Sequence, residues 1–239
     1  YPGIKDGLVF AIDPANKESW AGPTSDKVNN LAASATLAMA AKARELRSKG
    51  VDVIGLSLGE PDFNIPEFIK EAAVKAIYDN YNSYTPVDGY VDLKKAISRK
   101  FSRDNNLNYS ASQIVVSTGA KQSIANVIEA MISPGDEVIL LAPFWVSYSA
   151  MIEICGGIPV IVKSDITSNF KVTASKIKDN ITSKTKMIIV NSPNNPSGSV
   201  YNEHELRQIG KMLMDYPKIF VLSDIKNSDN FSAILCSSK

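Results

Sequence analysis

Cysteine and histidine are almost missing from this chain: its 239 residues include two Cys and one His. Cys155 and Cys236 lie far apart in sequence and only His204 could join them, so no zinc-type ligand spacing exists. His204 falls on a polar helical pattern and reads as a surface residue. Two isolated thiols exclude a disulfide-dense scaffold and suit a reducing, cytoplasmic compartment. Excess charge is also missing. With 26 basic and 25 acidic side chains the net charge is +1, which gives no general pull toward nucleic acid or an acidic membrane surface. No apolar run reaches the roughly 18 residues of a membrane helix, and no signal-peptide pattern opens the chain. Neither a Walker A motif nor GxGxxG occurs, so the usual nucleotide loops are absent. The first residue is Tyr1 rather than Met, which reads as a processed chain or a piece of something longer.

What is present is ordinary globular material. Hydrophobic residues make up 44%, too many for intrinsic disorder at so low a net charge. Residues 1–33 hold one strand-like run, Leu8 to Ile12, followed by turn formers. From Ser34 the chain becomes regular. A helix-rich stretch precedes Gly50, and VDVIGLSLG reads as a short strand. EFIKEAAVKAIYDN then sets Ile69, Ala73, Ala76 and Ile77 on one helical face behind Pro66. VDLKKAISRKF is a further amphipathic helix. Strand and helix follow in turn: QIVVS and AKQSIANVIEAMI, DEVILL and WVSYSAMIEI, IPVIV and a helix near 174–179, KMIIVNS and EHELRQIGKMLMD, then KIFVLSD. The strands are Val/Ile/Leu-rich and hardly alternate, as strands buried on both faces do. The fold class is therefore α/β: a mainly parallel sheet with helices on both faces. After Asp224 the pattern stops, apart from a weak apolar run at Phe231 to Cys236.

In parallel α/β sheets ligands bind beyond the carboxyl ends of the strands. Four stretches fall there. STGAKQ brings Gly119 and Ala120, which let an anion approach the backbone amides at a helix N-terminus; it equally suits a plain strand-to-helix turn. Trp145, after DEVILL, can lie flat on a ring or fill the core. Asn195, between Pro193 and Pro196, can donate to a phenolate-like oxygen or merely form a turn. Asp224, at the end of KIFVLSD, can pair with a protonated ring nitrogen or cap a helix. Together, a phosphate cradle, a stacking ring, an oxygen donor and a carboxylate describe a pocket for pyridoxal 5'-phosphate.

These motifs resemble a known family. From about Ala32 to Asp224 the chain closely resembles the bacterial aspartate-type subgroup of the class I, fold-type I aminotransferases. The matching stretches are SATLAMAAKARELRSKG, GLSLGEPDF, SYTPVDGYVDLKKAI, VVSTGAKQ, PGDEVILLAPFWVSY, NSPNNPSG and LSD. The resemblance implies an incomplete cofactor-binding large domain over residues 34–224. It implies that Gly119, Ala120 and Lys121 hold the cofactor phosphate, Trp145 stacks on its ring, Asn195 meets the ring oxygen and Asp224 the pyridine nitrogen. Tyr84 corresponds to the Tyr that reaches the phosphate in the neighbouring subunit, which implies a homodimer. Gly59 corresponds to the backbone beside the substrate α-carboxylate. Lys121 also corresponds to a recogniser of a distal carboxylate, with Trp145 and Asn195 beside the substrate. The implied substrates are an amino acid, aspartate-like and dicarboxylic, and a 2-oxo acid.

The departures matter as much. The family has a Tyr three residues after its Asp, where this chain has Asn227. The family's Schiff-base Lys comes a few tens of residues later, and a distal Arg later still. This chain ends first, and Lys226 sits too close to Asp224 to substitute. The chain alone is therefore expected to lack transaminase activity. Residues 1–33 weakly resemble the opening strand of concanavalin-like or laminin-G-like domains of phage proteins. Residues 225–239 resemble nothing in the family. The alternatives are a non-catalytic, phage-associated binding or structural protein, or a broken chimeric gene product.

Overall fold

A computed structural model of the chain describes residues 35–55, 59, 63–226 and 232–237. The N-terminal segment 1–33, with its Leu8–Ile12 run, and Asn227 lie outside the described residues. The chain divides into two compact units: Ala33–Ser117, and Thr118–Lys239 together with Tyr1–Ala32.

The Ala33–Ser117 unit is helical. It contains α1 (Ala35–Ser48), α2 (Glu67–Tyr78) and α3 (Val91–Asn105). Pro66 stands just before α2, where its fixed φ and missing N–H cost nothing. α3 ends at Asn106 in the left-handed conformation, a geometry that Asn tolerates. Its Phe101 is buried and meets the Tyr109 ring edge-on at 5.9 Å. Its Lys94 is buried too and pairs with Asp88. Burial of the amphipathic face of α2 does not follow the sequence pattern: no residue of α2 is buried, and Ile77 is 75% exposed. VDVIGLSLG forms no strand among its described residues, and Ile114–Ser117 of QIVVS form none either. An apolar run becomes a strand only with a ladder partner, and the sheet of this protein does not include these segments.

The second unit is an α/β sheet. Its strands are β1 (Glu137–Leu141), β2 (Ile158–Val162), β3 (Thr185–Asn191), β4 (Phe220–Lys226) and β5 (Ser232–Ser237), in the order β2-β1-β3-β4-β5. The first four are parallel and β5 joins β4 antiparallel. The regular pattern thus runs past Asp224. β4 continues to Lys226, and the weak apolar run supplies a fifth strand that covers the edge of β4. Its helices are α4 (Gly119–Met131), α5 (Ser147–Ile154), α6 (Ala174–Lys178) and α7 (Glu203–Leu213).

Both faces of the central strands β1 and β3 are buried, which explains why they hardly alternate. Ile139, Leu141, Ile188 and Val190 pack with Ile177 of α6 and with Ile209 and Met212 of α7. Val138, Leu140, Met187, Ile189 and Leu222 pack with Ile124 and Ile128 of α4 and with Tyr148 and Ile152 of α5. α4, α5 and α7 each place their pair three or four residues apart, so one face meets the sheet. Fully burying each such side chain is worth about 1.5–3 kcal/mol. From β1 the chain moves outward to β2, then returns to add β3 and β4 on the other side. Strand order therefore reverses between β1 and β3, and the crevice beyond their carboxyl ends is where such a sheet takes ligands.

Candidate functional site

Two loops flank that reversal. Residues 142–145 follow β1 and residues 192–198 follow β3. Asn194 ties them, its Nδ2 donating to the Pro143 carbonyl at 3.0 Å. Asp224 sits within β4, directly opposite Asn191 of β3. The Asp224 side chain is buried, with the residue 5% exposed. Its Oδ2 accepts a hydrogen bond of 2.6 Å from the Tyr148 hydroxyl on α5. Its Oδ1 has no hydrogen-bond partner, alone among the buried side-chain polar atoms of the described residues. An unpartnered buried acceptor costs about 1–3 kcal/mol, so a site that keeps one is shaped for a donor that comes from elsewhere.

Around this carboxylate the contacts form a chain. Asn191 Nδ2 donates to the Asp224 backbone carbonyl at 2.9 Å, and Asn191 Oδ1 accepts from the Asn195 amide at 2.7 Å. One side chain thereby ties the Asn195 loop to the strand of Asp224. On the other side the Trp145 and Tyr148 rings meet edge to face, with centroids 5.5 Å apart. Lys121 Nζ lies 5.3 Å from the Trp145 ring centroid, a cation–π distance. Burial first, and then the neighbouring Asp224 carboxylate, push the Tyr148 hydroxyl far above its usual range. Tyr148 stays protonated at every physiological pH and donates to Oδ2 throughout.

Gly119 opens α4 with φ of +82°, a conformation L side chains rarely adopt, and nothing lies within 4 Å of where its Cβ would be. No side chain caps the helix at Thr118. The first turn is thus uncapped by Thr118, and the positive end of the helix dipole favours an anion there.

Of the residues singled out in sequence, Lys121, Trp145, Asn195 and Asp224 belong to this connected set, and Gly119 and Ala120 begin the helix that carries Lys121. Gly59 and Tyr84 belong to the Ala33–Ser117 unit, where both are exposed. Two members of the set escaped the sequence reading, Tyr148 and Asn191. Each acts on Asp224 from a distant part of the chain. The available signals were weak: a Tyr on the apolar face of WVSYSAMIEI, and a polar Asn closing a buried strand.

The family described as Aminotransferase class I and II matches residues 51–226. The chain belongs to this family. It is 48% identical to a probable aspartate/prephenate aminotransferase of Rickettsia felis over 84% of this chain and 49% of the relative. It is 44% identical to an aspartate aminotransferase of Bacillus sp. over 84% of this chain and 51% of the relative. Among solved structures, it resembles the aspartate aminotransferase of Rhizobium meliloti with TM-score 0.81 and 38% identity, over 89% of this chain and 55% of that one. The aspartate aminotransferase of Thermus thermophilus with maleate gives TM-score 0.81 and 33% identity, over 87% and 62%. The aminotransferase chain thus spans about half the length of the curated relatives it matches.

Proposed function

We propose that this portion of an aminotransferase binds pyridoxal 5'-phosphate at the carboxyl ends of β1, β3 and β4. The observation that carries the reading is the free Oδ1 of buried Asp224. A protonated pyridine nitrogen is the donor that this oxygen lacks, and such a charge-assisted bond is worth about 1.5–3 kcal/mol. Tyr148 and Asn191 hold the carboxylate and its strand in place. Trp145 offers a ring to stack on, Asn195 an amide for the ring oxygen, and Gly119, Ala120 and Lys121 the phosphate end. When bound, the cofactor supplies an electron sink for a carbanion.

The substrates of a complete enzyme are an aspartate-like dicarboxylic amino acid and a 2-oxo acid. Lys121 meets the distal carboxylate, and Gly59 the α-carboxylate. The names of the relatives support this choice. Tyr84 serves the phosphate of a second subunit, so the enzyme works as a homodimer, in the cytoplasm. Residues 34–224 are the family portion, and 1–33 and 225–239 have another origin; the family match over 51–226 lies almost wholly within that portion. Without the family's Schiff-base Lys this chain does not transaminate alone.

Titrating the full chain with pyridoxal 5'-phosphate tests the reading through tryptophan fluorescence and cofactor absorbance. Saturable binding is expected, weakened about 10- to 100-fold in Asp224→Ala. Trp145→Phe should remove most of the fluorescence quench. Borohydride reduction should label no single lysine. Equal affinity in Asp224→Ala would overturn the site, and stoichiometric labelling of one lysine would overturn the predicted inactivity.

A further inference from the structure

One turn of the sheet unit keeps a backbone shape that one of its residues disfavours. The Lys171 amide donates to the Ser168 carbonyl at 3.1 Å and closes a four-residue turn. The central residues, Asn169 and Phe170, have φ of 52° and 54°. A turn with positive φ at both centres asks for Asn and Gly. Asn169 meets that demand. Phe170 does not, because a bulky side chain is strained in the left-handed region.

Surrounding contacts hold the turn in this shape. The Phe170 amide donates to the Asp165 carbonyl at 2.8 Å, and the Ser199 hydroxyl to the Asn169 carbonyl at 2.7 Å. Past the turn, the Tyr201 hydroxyl accepts from the Val172 amide at 2.8 Å and donates to the Val172 carbonyl at 3.2 Å. The Ser199 carbonyl in turn accepts from the Asn194 amide at 2.9 Å. The turn is thereby fastened to the loop that follows β3. Phe170 also lines a cavity of about 10 Å³, together with Phe144, Tyr148, Asn191, Asn194 and Tyr201. That space holds at most one water, so its walls are closely packed. Phe144 and Asn194 among them belong to the two loops that flank the strand reversal.

Strain of this kind persists where the surroundings over-determine it, and it collects at ligand sites. We infer that Phe170 is a positioning residue: it buttresses Phe144 and Asn194, and through them holds the loops that present Trp145 and Asn195. Its consequence for the cofactor rests on the reading of the site given above; its geometry does not.

Three variants of the full chain test it: Phe170→Gly, Phe170→Ala and Phe170→Tyr. Gly and Ala both remove the ring, but only Gly relieves the backbone. Phe170→Gly should therefore unfold at higher urea than Phe170→Ala, the reverse of the usual order. Both should speed hydrogen exchange of the Asn194, Asn195 and Gly198 amides about 5- to 10-fold and leave the amides of α7 unchanged. Both should weaken pyridoxal 5'-phosphate binding by the same factor, about 5- to 10-fold, although their stabilities differ. Phe170→Tyr keeps the ring and should restore parental exchange and affinity. Affinity that follows stability, exchange that rises evenly through the sheet unit, or loop amides that keep the parental rate would overturn the proposal. A parent that binds no cofactor would overturn the reading of the site instead, and the loop exchange then decides this proposal by itself.

Discussion

The two units spend their apolar residues in opposite ways. In the sheet unit, Val138, Ile139, Leu140, Met187 and Ile188 are wholly buried, and helices line both faces. In the Ala33–Ser117 unit, Phe68, Val74, Ile77 and Tyr78 of α2 and Tyr84 beyond it are all exposed. The first pattern is a core packed between described strands and helices. The second is an amphipathic helix whose apolar face no described residue covers. An amphipathic pattern therefore records that a face is meant to be buried; it does not say what buries it. A chain that spans half the length of its relatives shows this difference plainly.

Core truncation breaks the comparison most strongly. Ile188→Ala in β3 should cost about 2–5 kcal/mol in urea unfolding, the usual toll of a cavity in a packed core. Ile77→Ala on α2 should stay within about 0.5 kcal/mol, because it removes little buried surface and installs a better helix former. Equal costs would show that α2 is covered in solution.

Tyr148→Phe comes next. It takes the one donor from Asp224 Oδ2 and leaves both carboxylate oxygens unpartnered. A loss of about 1–3 kcal/mol is expected by denaturant titration. No loss would mean that water already reaches this carboxylate.

Smaller effects belong to α7. Asn202 accepts from the Glu205 amide at 2.9 Å and Glu205 accepts from the Asn202 amide at 2.8 Å, a reciprocal cap. Asn202→Ala should cost about 1 kcal/mol in thermal unfolding. Smallest is the Lys171–Glu205 ion pair at 2.6 Å. Lys171 first, and then the Asn202 amide, hold the Glu205 carboxyl below its ordinary value. Its contribution is thus fully present above the ordinary carboxyl range and lost as pH falls through the lowered value. Glu205→Gln keeps the cap but not the charge. The two chains should differ by about 0.2–1 kcal/mol near neutrality, and the gap should close in acid. A gap that widens in acid would contradict the assignment.

Local chemistry made much of the sheet unit legible in sequence. DEVILL and KMIIVNS are apolar runs that become β1 and β3, because strands buried on both faces leave that mark; IPVIV becomes β2 at the sheet edge, where Ile158 and Ile161 stay exposed. QIVVS bears the same mark and forms no strand, since a ladder partner is a property of the whole chain. β5 is the opposite case: its short run reads as a remnant, and only pairing with β4 makes it a strand. Within the site, Trp145, Asn195 and Asp224 stood out because each follows or ends a predicted strand. Tyr148 and Asn191 did not, because their role lies in hydrogen bonds to a residue 76 and 33 positions away.

The central claim is that the free oxygen of Asp224 awaits the proton of a ring nitrogen. Pyridoxal 5'-phosphate labelled with nitrogen-15 in the ring, bound to the full chain, tests it by NMR. The nitrogen shift should report a protonated ring well above the pH at which the free cofactor loses that proton, and Asp224→Ala should abolish this. A bound ring that is unprotonated in the parent, or equally protonated in Asp224→Ala, would contradict the account.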